Sequence, residues 1–266
     1  MRKATFFYLL RRGLLGAGGF VRDGLVMAAS KFKLSGLTHP SSGSAEFDGS
    51  SDYILIKEDG KGSAFDTQEF TIGAWAYVKG TNDEVIWSYD FTSHGAPPYY
   101  AQHLRFSGGT TLYFFWNNGS TYRDINKTSA VSANEWNYVT ATYKSGEQKL
   151  YVNGSEVASS TRTQTITYYN QEVWIGKANF GGEFDGNMAN VAFWNRALSS
   201  DEINSVMWKG YDALEASEKS GLQAWYSLDD VASPAASLAT MEALAVDKDA
   251  TIENKAAVTA AINALS

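Results

Sequence analysis

The chain has 266 residues, of which 44% are hydrophobic and 19% charged; this suits one large domain or two small ones around a buried core and argues against global disorder. It contains no cysteine, which excludes disulfides, cysteine-ligated zinc and thiol nucleophiles. The net charge of −7 disfavours nonspecific nucleic-acid binding by the surface as a whole, and no apolar run is long enough to cross a membrane as a helix.

Charge is unevenly placed. Residues 1–33 hold Arg2, Lys3, Arg11, Arg12, Arg22, Lys31 and Lys33 against Asp23 alone, a balance of +6, while the remainder carries 15 basic and 28 acidic residues, a balance of −13. A basic arm on an acidic body predicts an attachment segment, with Arg2, Lys3, Arg11, Arg12 and Arg22 gripping a partner. A basic edge folded onto its own acidic domain fits equally well. The opening MRKATFFYLL has the look of a leader, but Arg11 and Arg12 end its apolar stretch after Leu10, too early for one. A glycine cluster follows (Gly13, Gly16, Gly18, Gly19), and Thr38–Ser44 reads as a linker. Residues 1–43 are expected to form an N-terminal arm that packs on the body or on a partner.

From Ala45 to Trp194 the pattern is strand after strand. FTIGAWAYV (Phe70–Val78) is almost uninterrupted hydrophobic and aromatic residues, as in a strand buried on both faces. VIWSYDF alternates, which puts Val85, Trp87, Tyr89 and Phe91 on one face. Asn118-Gly119 lies between two β-rich runs and predicts a tight type I′ hairpin. WNYVTATY (Trp136–Tyr143) is a further strand; Ser145-Gly146 and Asn153-Gly154 then turn the chain through QKLYV and SEVAS. VWIG (Val173–Gly176) and NVAFW (Asn190–Trp194) complete a series of short strands that means a sandwich or a barrel.

One helix is well signalled. Ser199 and Glu202 form a capping box, Ile203, Val206 and Met207 make a buried stripe, and Gly210 suits the position just past the helix end. LQAWYSLDD (Leu222–Asp230) returns to strand character. Residues 231–266 are alanine-rich, and Lys255–Leu265 reads as a short helix with Val258, Ala261, Ile262 and Leu265 on one face.

The order and spacing of these motifs resemble a laminin-G-like, concanavalin A-like domain. FDGSSDYI (Phe47–Ile54) is similar to the family's opening strand, and FTIGAWAYV to the next, with its aliphatic-x-x-Trp. EWNYVTATY is similar to the central strand after a Trp, and LYVNG (Leu150–Gly154) to the hairpin that follows. WIGKANFGGEFDGNMANVAFWNRALSSDEI (Trp174–Ile203) resembles the closing strands, the bend and the terminal helix. Asn190 departs from the pattern, because many members carry an acidic residue before the valine. The resemblance implies an all-β, two-sheet antiparallel jelly-roll sandwich over residues 44–230, with a short helix after the last core strand and a small helical tail over 231–266. LQAWYSLDD is expected to pair back into the sandwich. Roles in such a family range over glycan binding, adhesion and plain structure, so function must be argued from the site.

Hydrolases of this fold set acid and nucleophile carboxylates on one strand face. EFDG occurs twice, at Glu46–Gly49 and Glu183–Gly186, each with a Glu and an Asp two apart. The glycine ends each strand and no third carboxylate follows, so both read as turn and strand-entry motifs. Neither a GxSxG elbow nor a phosphate-binding glycine loop is present. His94 and His103 flank HGAPPYYAQH, and two solvent-facing loop histidines are preferred to a metal pair. Asp48, Asp52 and Asn187 lie in motifs that resemble the family's cation-rim loops, so calcium is the one cofactor to test; the favoured rival is that Asp48 and Asp52 satisfy backbone N–H groups in a turn. Tyr99, Tyr100, Trp116 and Tyr122 are the candidate ligand-binding rings, because sugars stack their C–H faces on aromatic rings beside polar groups. Three N-x-S/T sequons, at Asn118, Asn126 and Asn153, matter only in a secretory eukaryotic setting.

The expectation is a non-catalytic structural protein. One setting reconciles an adhesion-type module with no cysteine, no leader and a basic arm: a bacteriophage virion surface or decoration protein, made in the host cytoplasm and released by lysis. Its partners would be other virion proteins or its own copies, as a homo-oligomer or on a lattice, and host glycans; neither membrane nor nucleic acid is expected. The alternative is an extracellular carbohydrate-binding module, and a hydrolase stands third.

Overall fold

A computed structural model describes residues 20–22, 25–27, 39–41, 43–57, 64–90, 100–119, 121–168, 172–179 and 181–228. Arg2, Lys3, Arg11 and Arg12, expected from sequence to grip a partner, the ring of Tyr99, His94, Phe91 and the tail 231–266 lie outside the described residues. The chain divides into two units, Met1–Ser35 and Gly36–Ser266. In the first, β1 (Phe20–Arg22) and β2 (Leu25–Met27) pair as a short antiparallel hairpin in which Arg22 stands opposite Leu25.

The second unit is a two-layer sandwich. One sheet has seven strands. Its order is β12 (Ser155–Ser160), β11 (Glu147–Val152), β10 (Trp136–Lys144), β5 (Phe70–Val78), β14 (Asp185–Trp194), β15 (Leu222–Tyr226), with β3 (Ala45–Asp48) also on β14. The other has six, in the order β4 (Ile54–Lys57), β13 (Glu172–Ile175), β6 (Asp83–Asp90), β7 (Tyr100–Ser107), β8 (Thr111–Asn117), β9 (Tyr122–Lys127). Every pairing is antiparallel, so the fold is the all-β jelly-roll sandwich expected from the motifs. LQAWY does pair back, on β14.

The layers are held by rings from both sheets. Phe193 of β14 stacks on Phe70 of β5 at 5.7 Å and on Trp87 of β6 at 5.3 Å, and Phe70 meets Phe114 of β8 edge-on at 5.7 Å. All four are fully buried, and each large ring removes some 150–250 Å² from water, so this cluster dominates the core. β5 is buried on both faces, as its sequence requires. Ile72, Ala74, Ala76 and Val78 face the other sheet, while Trp75 faces a second cluster built with Trp194, Trp225, Ile203, Val206 and Met207. A Cβ on Gly73 would lie 2.5 Å from the Tyr138 hydroxyl, which is why a glycine interrupts a central strand.

The second cluster is roofed by α1 (Ser200–Val206) and α2 (Ala216–Lys219). Ser199 and Glu202 form the reciprocal capping box, with the Glu202 carboxylate accepting the Ser199 N–H at 2.8 Å. The helix ends earlier than the sequence suggests. Met207 is its C-cap, and Gly210 has φ −83°, so it is not a left-handed terminator. The Trp75 indole takes the Met207 carbonyl, which satisfies a helix-end acceptor without any glycine motif.

Two other local expectations change. The β6–β7 register shifts between Val85 and Trp87; Ile86 and Trp87 both join the main core cluster, while Val85, though fully buried, is outside that cluster, so the simple alternation fails at a bulge. Asn118-Gly119 is not a two-residue hairpin either, because Asn117 stands opposite Tyr122. The Asn118 side-chain oxygen accepts Thr121 N–H at 3.0 Å and its own N–H reaches the Thr121 carbonyl, closing a longer connection. Asn153-Gly154 does form the tight turn, both residues having positive φ between Val152 and Ser155.

Candidate functional site

The six-stranded sheet keeps its outer face on strands β7 to β9. On β8, Leu112, Phe114 and Trp116 point into the core, so Thr111, Tyr113 and Phe115 must point out. Register then brings outward side chains of three strands together: Phe115 stands opposite His103 and Asp124, and Asn117 opposite Tyr122. The Tyr100 ring lies 5.3 Å from Phe115 and 5.6 Å from Tyr122, tilted only 31° to the latter. Phe115 stacks on His103 at 4.3 Å. The Arg105 guanidinium sits 5.5 Å from the Tyr113 and Phe115 ring centres and pairs with Asp83.

This surface has an open side and a closed side. Tyr122 is 37% exposed, and Asp124 and Asn126 beside it on β9 are exposed too. Towards β13, Ser88 donates to the Lys177 carbonyl at 2.7 Å, Asp90 accepts Asn179 N–H at 2.8 Å, and the Lys177 ammonium lies 4.4 Å from the Tyr53 ring. The segment after β13 therefore covers that half. His103 is fully buried under its neighbours. Burial, then the nearby Arg105 charge, holds its imidazole well below the usual histidine range and therefore neutral. It is a strand residue and not the solvent-facing loop histidine expected from sequence.

Of the four predicted ligand-binding rings, the structure brings two together, Tyr100 and Tyr122. Trp116 faces the interior, fully buried and 4.6 Å from Tyr143; the pleat puts it on the opposite face from Phe115, so it is closed to a surface ligand. Phe115, His103, Tyr113 and Arg105 were not singled out from sequence. The alternation of TLYFFW carries the signal, because three apolar residues at Leu112, Phe114 and Trp116 leave Tyr113 and Phe115 outside.

The residues resembling a cation rim are arranged otherwise. The Asp48 carboxylate accepts the backbone N–H groups of Ser50, Ser51 and Asp52 at 2.9, 2.8 and 3.1 Å and the hydroxyls of Ser50 and Ser51. These hydrogen bonds, the Ser51 N–H first, hold its pKa far below the usual carboxylate range. Asp52 accepts the Asp48 N–H at 3.1 Å, and Asn187 stands opposite Glu46 and Tyr77 rather than opposite Asp48. With its lone pairs committed to five donors, Asp48 is a turn clasp, and this set does not fit calcium. Among the described residues, no group of three or more His, Asp or Glu side chains is placed to hold a metal.

The two EFDG strings meet each other. Asp48 pairs with Asp185 and Phe47 with Gly186, and Gly49 N–H reaches the Phe184 carbonyl at 3.0 Å. They border an open polar cleft of about 510 Å³ lined by Gly49, Thr81, Asn82, Asp83, Gly182 and Glu183, among others. Beneath it Glu84, almost fully buried, accepts the N–H of Asp185 at 2.6 Å and of Asn82. Desolvation raises its pKa, and its hydrogen bonds tie together the two loops that frame the cleft.

Residues 48–204 match the family model for the concanavalin A-like lectin/glucanases superfamily. The chain belongs to that superfamily. Among solved structures, the CBM40 module of the Ruminococcus gnavus IT-sialidase is similar at 19% identity, over 64% of this chain and 98% of that one, with a TM-score of 0.52. A Bacteroides ovatus protein described as a candidate carbohydrate-binding protein is similar at 21% identity, over 72% of this chain and 52% of that one, with a TM-score of 0.54. This member of the superfamily thus spans about half the length of the Bacteroides protein. No curated protein matches it by sequence.

Proposed function

We propose that the protein is a non-catalytic carbohydrate-binding module that reads glycans on the outer face of strands β7 to β9. The observation that carries this is the exposed Tyr122 ring beside the partly exposed Tyr100, both packed on the buried Phe115 and edged by Asp124 and Asn126. Tyr100 and Tyr122 lie close to parallel and offer a platform for the C–H face of a sugar, while the flanking carboxylate and amide supply acceptors and donors for its hydroxyls. The two solved structures of like fold are both described as carbohydrate-binding, which supports the reading without fixing the ligand. Binding of the full-length protein to an array of neutral and sialylated oligosaccharides tests it. Tyr122→Ala should weaken at least one hit tenfold or more, which is a loss of about 1.4 kcal/mol; no hit, or every hit indifferent to Tyr122→Ala and Tyr100→Ala, would remove this face from consideration.

A second reading concerns where the module is displayed. The charge split between residues 1–33 and the rest of the chain favours attachment through the basic segment to an acidic surface, and a phage particle is the setting we propose for it. Virions lacking the protein should take it up from solution, and a variant without residues 1–33 should fail to attach. Equal attachment by both would end the anchoring proposal.

A further inference from the structure

Among the described residues, one half of the outer face of the seven-stranded sheet is roofed. The α1–α2 segment covers Trp75, Trp194 and Trp225, and one pleat further along β5 and β10 the described residues leave the strand side chains partly exposed. There four strands contribute one row in register: Glu46 of β3 opposite Asn187 of β14, Asn187 opposite Tyr77 of β5, and Tyr77 opposite Trp136 of β10. Tyr77, Trp136 and Asn187 are each partly exposed. The Tyr77 and Trp136 rings lie 5.8 Å apart. Trp208, on the chain leaving α1, stands 5.5 Å from Trp75 and is 38% exposed. It and Tyr122 are the exposed large hydrophobic residues among those described. The Trp75–Met207 hydrogen bond holds the backbone next to Trp208 in place.

We infer that this row, with Trp208 over Trp75 on the same outer face, is a second ligand site on the opposite outer face of the sandwich, and that it takes a neutral oligosaccharide. Its charge argues for that class of ligand. Glu46 is the row's carboxylate, and Lys79 neutralises it at 2.5 Å, so the row presents no net charge to attract an ion. What remains is the Tyr77 ring, the Trp136 ring with the His39 imidazole edge-on to it at 4.4 Å, and the Asn187 amide. That amide offers both a donor and an acceptor, and no described side chain or backbone group engages it. Four strands at a spacing of about 4.8 Å make a row of roughly 14 Å, long and narrow as a short sugar chain is and unlike the broad apolar patch of a protein interface. Ring faces supply stacking for C–H surfaces and the amide supplies hydroxyl recognition.

The site is independent of the β7–β9 platform, so variants separate the two. The full-length protein, its Tyr100→Ala/Tyr122→Ala variant and its Asn187→Ala/Trp208→Ala variant are tested on an array of neutral and sialylated oligosaccharides, with cellohexaose, xylohexaose and mannohexaose titrated calorimetrically. These substitutions are at partly exposed positions, and circular dichroism establishes that each variant is folded. The expected result is neutral-glycan binding that survives Tyr100→Ala/Tyr122→Ala and falls at least tenfold in Asn187→Ala/Trp208→Ala. If Tyr100→Ala/Tyr122→Ala removes all binding, or Asn187→Ala/Trp208→Ala removes none, the second site is overturned while the β7–β9 reading stands. The β7–β9 reading is overturned separately, when no glycan on the array, neutral or sialylated, is weakened by Tyr100→Ala/Tyr122→Ala; no binding to any sugar overturns both.

Discussion

The indole N–H of Trp75 donates to the carbonyl of Met207 at 2.8 Å, across 132 residues of sequence. Trp75 is in the middle of β5 and Met207 caps α1, so one hydrogen bond fixes where the helix lies on the sheet. Terminal helix carbonyls have no intrahelical partner, and here the partner comes from the strand that the helix covers.

Removing only that bond should be measurable. Trp75→Phe keeps most of the ring and leaves the Met207 carbonyl without its donor, so it should cost about 1–3 kcal/mol in urea unfolding. Trp75→Ala also empties the centre of the second cluster and should cost about 3–5 kcal/mol. Equal stability of Trp75→Phe and the unaltered protein would show that packing alone seats the helix.

Asp48 predicts a pH dependence whose sign follows from its hydrogen bonds. The Ser51 and Ser50 N–H groups depress its pKa in the folded state, so the charged turn stabilises the fold above the unfolded carboxylate's pKa of about 3.9. That contribution is lost as pH falls through the unfolded and then the folded value. Asp48→Asn should therefore unfold at a lower temperature than the unaltered protein at pH 7, and the gap should close progressively below about pH 4. A gap of constant size from pH 7 to pH 2 would mean that the carboxylate's charge plays no part in the turn.

Gly186 cannot be replaced. It has φ +146°, a region that side chains of L-residues rarely adopt, and a Cβ there would lie 2.0 Å from the Tyr77 carbonyl oxygen. Strain and a backbone clash add, so Gly186→Ala should lose at least about 3 kcal/mol, seen as a lower urea midpoint or as insoluble expression. Gly146→Ala is the control, since it also has positive φ but nothing within 4 Å, and it should lose only the cost of the backbone conformation.

The strands and their turns were legible because their causes are local. β-rich runs marked β8 and β10, Asn153-Gly154 marked its turn by demanding positive φ at two consecutive residues, and Ser199 with Glu202 marked the helix start. What sequence did not carry were effects decided by distant residues. The helix end depends on Trp75, which no window around Gly210 contains. The bulge at Ile86 depends on how β6 meets β7. His103 looked like a loop residue because HGAPPYYAQH has turn composition, yet its position opposite Phe115 and Ser88 makes it part of a strand. The Tyr77–Trp136–Asn187 row joins residues up to 110 positions apart through register alone, and no motif announces it.

Tyr122 and Trp116 were read from the same hairpin as equivalent rings, and the fold gives them opposite fates. Tyr122 is 37% exposed at the edge of the platform, whereas Trp116 is fully buried against Tyr143. Truncating Tyr122 to alanine removes little buried area, so its stability cost should stay below about 1 kcal/mol while glycan binding weakens at least tenfold. Truncating Trp116 leaves a cavity in the main core and should cost about 3–5 kcal/mol. Trp116→Phe, which fills most of that space, should keep the β7–β9 platform and its affinity within twofold. Paired urea and glycan titrations on these three variants check the assignment. Loss of affinity in a folded Trp116→Phe protein, or undiminished binding in Tyr122→Ala, would mean that the two faces of β8 have been assigned the wrong way round.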